Sequence, residues 1–360
     1  MPFPPYESIL VVVPCLALGW YYLVARKGNE LKEENEPPMV QSMSLLKFFP
    51  NFVGKQSPQF LLGLARDMGT YVYRTPGSKS GSRLKVYVVA DPPTARTILE
   101  NPKNLKYLKF YKAFERLSGG DTFFAQNGGR AKHVRKSLSS AFTASNVMRM
   151  TDIIETVLEK WIAERLEPLY VKPKNPIDVD REMVMLTTDV IFQAGFDYKL
   201  SSQERDSFNG YMTCAMEEFC VTSNLLKKIP LTAWMFPEVR KARRAVKEMA
   251  KLCTRVIEAY RKNPKPNTST LIHMLLNEQE YESDDERIRD MISIIFAGFD
   301  TTAHTISWTL LELARSPEEQ TKVRSALSKC LSKEERSQCQ EFKNVTREIL
   351  LLRIRDSRNH

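Results

Sequence analysis

The stretch from Ile288 to Arg315 constrains the fold more than any other. Its centre reads Ile294-Ile295-Phe296-Ala297-Gly298-Phe299-Asp300-Thr301-Thr302-Ala303-His304-Thr305. Ser283, followed three residues later by Glu286, reads as a capping box, in which each side chain satisfies an orphan backbone N–H at a helix start. No proline interrupts the run before Ser316-Pro317. At about 1.5 Å per residue, roughly thirty residues make a helix that crosses a whole domain, against a usual length of about 11–12 residues. Met291 to Phe299 carries no charge, which predicts a middle buried on nearly all sides.

Into this middle the sequence puts Gly298, Asp300, Thr301 and Thr302, all poor choices for a helix interior. Thr301 lies four residues after Ala297, so its hydroxyl reaches the Ala297 carbonyl, drawing it from the ladder and opening a local groove. Ala297 and Gly298 are small enough to let a flat ligand approach the backbone. An Asp beside a Thr hydroxyl suits a proton relay in a mostly dry pocket. An isolated Asp-Thr pair is more often part of a core helix whose polar residues turn towards a neighbouring helix.

At these positions the chain resembles a family. Ala297-Gly298-Phe299-Asp300-Thr301-Thr302 is similar to the (A/G)-G-x-(D/E)-T-(T/S) signature in the long distal helix of cytochromes P-450, the haem-thiolate monooxygenases. The resemblance implies haem as cofactor, with Ala297, Gly298 and Thr301 against it, and oxygen activation through Asp300 and Thr301 as catalytic residues.

The chain has 360 residues, 42% hydrophobic and 27% charged, enough for a sizeable core. A formal net charge of +10 suits acidic proteins, anionic lipid or nucleic acid. No nucleic-acid motif supports the last, and nucleic acid is not expected as a partner. The six cysteines form no C-x-x-C pair and no Cys/His cluster at zinc spacing, which points to a reduced, cytosol-facing chain without disulfides.

Ile9 to Ala25 carries no charge and has Trp20, Tyr21 and Tyr22 near one end, with Arg26-Lys27 next. This predicts an uncleaved single-pass anchor at residues 1–29, with the catalytic domain in the cytosol, in preference to a buried N-terminal helix. Residues 30–56 follow as linker and entry segment. In the resembled family such an anchor implies the endoplasmic reticulum and contact with membrane lipid.

Pro58 to Met68 reads as an amphipathic helix, Thr70–Arg74 and Leu84–Ala90 as a hairpin, and Pro93–Glu100 as a helix after Asp91-Pro92. Lys103 to Lys112 reads as a solvated helix face. Gly128 to Lys136 leads into a helix with Leu138 and Phe142 on one side. The family has W-x-x-x-R here, whose Trp and Arg bind a haem propionate. Arg135 matches the Arg, and Ala131 stands where the Trp belongs. A guanidinium pairs with a carboxylate bidentately, although Arg135 is equally one more cation on a basic helix. His133 is expected to face solvent.

Val147–Leu166 and Asp180–Ala194 are scaffold helices. Ser201–Val221 and Glu238–Arg261 form a pair joined by an apolar linker, Leu225 to Pro237, which suits either a bilayer surface or a loop folded onto its own helices. A last helix runs from Pro317 to about Leu331.

The family's thiolate ligand lies in F-x-x-G-x-x-x-C-x-G, and none of the six cysteines has that context. Arg347-Glu348-Ile349-Leu350 opens an E-x-x-R motif, but Leu351 stands where the Arg belongs. The expected fold is therefore mainly α, a cytochrome P-450-like helical fold with a small N-terminal β-hairpin region and without the proximal haem-binding part. A partial catalytic domain is expected over 57–350, with 351–360 a tail outside the family. By resemblance the function is haem-dependent insertion of one atom of O2 into a lipophilic small-molecule substrate, with electrons from an NADPH-cytochrome reductase type donor. This shortened chain is expected to be inactive, and the alternative is a haem-free helical membrane protein that binds or regulates a partner. No residue is assigned as a metal ligand.

Overall fold

A computed structural model describes residues 36–41, 43–52, 56–76, 85–101, 103–168, 178–221, 227, 230–265 and 269–330. The chain divides into two compact units, Met1–Leu105 and Lys106–His360.

In the first unit, α1 (Leu45–Phe52) and α2 (Ser57–Asp67) precede two short strands, β1 (Val72–Arg74) and β2 (Tyr87–Val89). The strands pair antiparallel in the register Val72↔Val89, Tyr73↔Val88 and Arg74↔Tyr87, which is the predicted hairpin with shorter strands. Tyr73 is fully buried with Val40, Phe48, Leu64 and Ala65, and its hydroxyl donates to the Leu61 carbonyl at 2.8 Å. α3 (Pro92–Glu100) starts where the sequence places it, because the Asp91 carboxylate accepts the Thr94 N–H at 2.8 Å and prolines occupy the first turn.

The second unit is helical among its described residues. Its helices are α4 (Lys112–Ser118), α5 (Gly129–Ser139), α6 (Ala144–Trp161), α7 (Val179–Val190), α8 (Ser202–Met216) and α9 (Pro237–Lys262). After them come α10 (Leu271–Asn277), α11 (Asp284–Arg315) and α12 (Pro317–Cys330). A wide π turn extends each of α6, α7 and α8, at Ile162–Leu166, Ile191–Gly195 and Glu217–Val221.

α9 buries Val239, Ala242, Ala245, Val246, Met249, Leu252, Cys253, Val256, Ile257 and Tyr260, whose three- and four-residue spacings make one apolar stripe. That stripe and α8 pack with α11 around Phe192, Phe208, Met212, Ile292 and Ile295. A second apolar cluster joins α6, α7 and the later part of α11 through Val157, Met183, Leu186 and Ala303.

α11 is uninterrupted over 32 residues. Only half of the predicted capping box forms. Ser283 Oγ accepts the Glu286 N–H at 3.4 Å, while the Glu286 carboxylate turns to the Glu282 N–H at 3.0 Å and to Arg130 at 2.5 Å. A complete box forms instead at α8, between Ser201 and Glu204. Phe142 does not join Leu138 in the core. Its backbone leaves the helix in a 3-10 turn, Ser140–Phe142, and its ring is 56% exposed.

The single-pass anchor and the endoplasmic-reticulum location drawn from it require correction. Among the described residues no helix is long and apolar enough to cross a membrane. The longest described helix, α11, opens on Asp284, Asp285 and Glu286 and carries Asp300 in its middle, and α9 has a basic outer face. Ile9–Ala25 itself lies outside the described residues, as do the partial E-x-x-R motif, the 351–360 tail and residues 225, 226, 228 and 229 of the linker.

One buried polar contact ties the loop before α5 to α11. Asp290 is only 4% exposed, and its carboxylate accepts the Phe123 N–H at 2.9 Å and the Tyr281 O–H at 2.8 Å. Burial pushes its pKa up to about 6, against the opposing pull of Tyr281, the Phe123 N–H and nearby Arg130 and Arg289. The unfolded chain loses this proton near pH ~3.9, so between about pH 4 and 6 the folded state holds more protons and stability falls as pH rises. Asp290→Asn keeps the shape and can satisfy both neighbours without charge. Its stability relative to wild type is expected to climb by roughly 2–3 kcal/mol between pH ~4 and ~6 and to level off above ~7. Urea unfolding at a series of pH values reads this, and a pH-independent difference would remove Asp290 as the titrating group.

Candidate functional site

The central part of α11 has two sides. Met291 to Ile295, Phe299, Ala303 and Ser307 are buried, whereas Thr301, Thr302, His304, Thr305, Trp308 and Thr309 are exposed, with Trp308 61% exposed. Ala297, Gly298 and Asp300 lie at the margin, half-buried. The uncharged run is thus less enclosed at its end than its composition suggests.

The Thr301 hydroxyl donates to the Ala297 carbonyl at 2.8 Å, the contact predicted by their spacing. It does not break the helix, because the α-helix continues through it. Nor is it unique. Thr302 donates to Gly298, Thr305 to Thr301 and Thr309 to Thr305, all at 2.7–2.8 Å, so the exposed side of α11 carries a row of hydroxyls turned back onto their own helix.

Gly298 has a separate packing role. A Cβ built there would lie 3.0 Å from Ile191 Cδ1 and 3.2 Å from Ile191 Cγ1. Ile191 opens the wide turn that follows α7, so the missing side chain at 298 is the notch that receives it. Beside this notch the Thr187 hydroxyl of α7 reaches the Phe299 carbonyl at 3.1 Å.

Asp300 is paired with His304, one turn later. His304 Nδ1 lies 2.7 Å from the Asp300 carbonyl oxygen and 3.7 Å from its carboxylate, and Nε2 lies 3.6 Å from the Asp180 carboxylate of α7. The hydrogen bond to the Asp300 backbone raises the His304 pKa, burial opposes it, and Asp180 and Asp300 raise it further. Burial raises the Asp300 pKa, with His304 pulling it down and Asp180 pushing it up. Asp300 therefore keeps a proton to higher pH than an ordinary aspartate, beside an imidazole that also favours protonation. Sequence reasoning passed over His304 in this role, although the four-residue spacing from Asp300 was a usable signal.

Arg135 lies on the exposed side of α5 with its guanidinium 6.0 Å from the Phe123 ring centroid. Among the described residues it has no hydrogen bond or ion pair with α11, and the Phe123 beside it has its N–H held by Asp290 of α11. Ala131, in the position of the missing Trp, is buried. A second cation stands nearby. Lys106 Nζ donates to the Phe124 carbonyl at 2.8 Å, and its pKa is lowered by burial and then by Arg135. The stretch 103–112, predicted as a solvated helix face, is largely exposed but irregular up to Tyr107, where it enters a 3-10 turn, Leu108–Tyr111. Lys106 is held there by reciprocal hydrogen bonds with Asn127 at 3.1 and 2.8 Å. A pairing across 21 residues has no local sequence signal. His133 is 61% exposed, as expected, 3.6 Å from Glu278.

Three of the six cysteines, Cys214, Cys220 and Cys253, are free thiols among the described residues, and burial pushes Cys253 up to about 12. Among the described residues no cluster of His, Cys, Asp and Glu is arranged to hold a metal ion.

Comparison with known proteins gives a consistent result. The family profile described as Cytochrome P450 matches residues 71–346. The bifunctional cytochrome P450/NADPH–P450 reductase 2 of Bacillus subtilis (strain 168) is 26% identical over 333 residues, covering 88% of this chain and 30% of the relative. The crystal structure of a cytochrome P450 (CYP102L1) aligns with a TM-score of 0.58 at 21% identity, covering 74% of this chain and 61% of that one. The cytochrome P450DA heme domain aligns with a TM-score of 0.60 at 18% identity, covering 80% and 62%. These likenesses are to the fold. The chain spans less than a third of the bifunctional relative and about three-fifths of each of the two solved chains.

The notch at Gly298 generates a test. Ala at 298 would gain up to about 1 kcal/mol of helix propensity and lose some of it against Ile191, whereas a β-branched residue cannot fit. Gly298→Val is expected to cost roughly 2–3 kcal/mol in wild type and about 1 kcal/mol less in an Ile191→Ala background. Equal losses in both backgrounds, read by denaturant unfolding, would show that Ile191 does not set the limit.

Proposed function

Since the chain belongs to the cytochrome P450 family, for which haem is the cofactor and a mainly helical fold the setting, we propose that its α11 face is the oxygen-side wall of a haem-dependent monooxygenase. The observation that carries this reading is Ala297-Gly298-Phe299-Asp300-Thr301-Thr302 at the middle of an uninterrupted helix, with the Thr301 hydroxyl satisfied by Ala297. The alternative, a haem-free partner protein, has no support in the comparisons.

The residues present fit the cofactor. Ala297 offers a small side chain one turn before Thr301, and the hydroxyls of Thr301 and Thr305 are folded back onto the helix, which keeps the surface between these three residues low. Arg135 and Lys106 give two neighbouring cations, suited to two propionates. When bound, haem supplies reductive activation of dioxygen at iron. None of the six cysteines has the context of the family's thiolate loop, so no residue here is assigned as the iron ligand.

What these residues do is hold and move protons. Burial raises the Asp300 pKa, so its carboxyl holds a proton to higher pH than an ordinary aspartate, and the solvent-exposed His304 lies 3.7 Å from it. The Thr301 hydroxyl can accept a proton while donating its own. Gly298 acts indirectly, by letting α7 close against α11. Phe296, half-buried beside Ala297, packs 6.1 Å from Phe114 of α4, an apolar wall in keeping with a lipophilic substrate. The bifunctional relatives named for a fused NADPH–P450 reductase support a reductase-type electron donor.

Two measurements test this. Haemin titrated into the full chain, followed by absorbance, is expected to bind about tenfold more weakly to Arg135→Ala, the loss of one charged pair worth roughly 1.4 kcal/mol. Unchanged affinity would end its assignment to a propionate. In the active enzyme, Thr301→Ala is expected to retain substrate binding while product formed per NADPH falls and peroxide rises. Unaltered coupling would leave Thr301 a structural residue.

A further inference from the structure

α4 separates two environments. Lys112, Glu115, Arg116 and Gly119, at i, i+3, i+4 and i+7 spacing, face a cavity of about 490 Å³, within the ~300–1,000 Å³ typical of small-molecule sites. Phe114, on the opposite side of the same helix, packs against Phe296 of α11. The cavity is therefore not the α11 face.

Its base is apolar. Phe219, Ala233, Val239 and Val246 are all buried and line it. Gly119, at φ +88°, brings the loop after α4 down onto α9, where a Cβ would lie 3.2 Å from Val246 Cγ1. The rim is cationic, with Lys112, Arg116, Lys227, Arg243 and Lys247 set against one lining carboxylate, Glu115. Lys112 and Lys227 are matched by carboxylates. Lys112 pairs with Glu115 at 2.5 Å, and Lys227 with Glu218 at 2.9 Å and Glu238 at 3.5 Å. Arg243 and Lys247 stand one turn apart on α9 with no carboxylate partner among the described residues. Like charges four residues apart on a helix repel, and an anion between them turns that repulsion into attraction.

We propose that this cavity binds a small organic anion, with its apolar body on Phe219, Val239 and Val246 and its sulfonate, phosphate or carboxylate between Arg243 and Lys247. Charge and apolar contact are both required, since the rim offers cations and the base offers no polar group to a neutral ligand. The site does not depend on haem, and its failure would leave the proposed oxygen chemistry untouched.

The test is calorimetric titration of the full chain with naphthalene-2-sulfonate, alongside inorganic sulfate and naphthalene-2-methanol, each of which has one half of the ligand. Saturable one-to-one binding of the sulfonate is expected, at least tenfold tighter than either half. Arg243→Glu with Lys247→Glu is expected to weaken it at least tenfold. Both side chains are exposed, so the fold is not at risk. Lys241→Glu with Arg244→Glu makes the same charge change on a side of α9 that does not line the cavity, and is expected to alter affinity less than threefold. The proposal is overturned if the sulfonate does not saturate, if either half binds as tightly, if the Arg243/Lys247 variant binds like wild type, or if the Lys241/Arg244 variant loses as much.

Discussion

The contact between α7 and α11 governs this structure. Gly298 provides the notch, Ile191 fills it, Ala303 is fully buried against the α6–α7 cluster, and Thr187 bonds the Phe299 carbonyl across the interface. A glycine in mid-helix costs about 1 kcal/mol in propensity, and close approach of a neighbouring helix is what makes that cost worth carrying. With α7 fixed on this side, the opposite side of α11, from Ala297 through Thr301 and Thr305 to Trp308, has no helical neighbour among the described residues. The wide turn at Ile191–Gly195 belongs to the same arrangement, because it is the local change of pitch that places Ile191.

A second constraint acts on the loop that precedes α5. Asp290 spans 167 residues of sequence to hold the Phe123 N–H, Arg130 reaches the Glu280 carbonyl and Glu286, and Asn127 pairs with Lys106. A buried carboxylate without partners is costly, and two hydrogen bonds make this one tolerable without removing the cost of its charge. Through Phe123 the same contact positions the aromatic ring under Arg135. The cations proposed for the haem edge and the helix proposed for the oxygen side are thus related by one buried aspartate.

Legibility in the sequence followed the range of the interaction. Local signals were readable: the proline and acidic residues opening α12, the Asp91 cap of α3, the extent of α11, the helical class and the family to which the Ala297–Thr302 run pointed. The hairpin was placed correctly with overlong strands, since alternation continues into residues that no longer pair. The anchor was read from an uncharged run with its aromatic and basic flanks, and no membrane-spanning helix is found among the described residues. Glu286 was assigned to Ser283 when its partners were the Glu282 N–H and Arg130, the latter 156 residues away. Asp290 and Lys106 went unnoticed for the same reason, because a residue gives no sign in sequence of a partner on another helix. Gly298 read as ligand clearance when its near neighbour is Ile191, since both explanations require the same missing Cβ.

The row of threonines shows where such a reading needs the structure. Thr301, Thr302, Thr305 and Thr309 make the same bond to the carbonyl four residues back, so that bond cannot single out Thr301. What differs is the neighbourhood. Thr301 follows Asp300, whose carboxyl is half-buried and coupled to His304, and it shares its margin with Ala297, the smallest side chain there. Thr305 and Thr309 lie one and two turns further, away from that carboxyl. A hydroxyl satisfied by its own helix costs the helix little and keeps its lone pairs free to accept. In the proposed site this is a useful resting state, because the hydroxyl is oriented before any ligand arrives and needs only a rotation about χ1 to donate elsewhere. The hydrogen bond that looks purely structural in the row is, at the single position beside a half-buried carboxyl, compatible with a proton relay, and the surroundings rather than the bond distinguish the two.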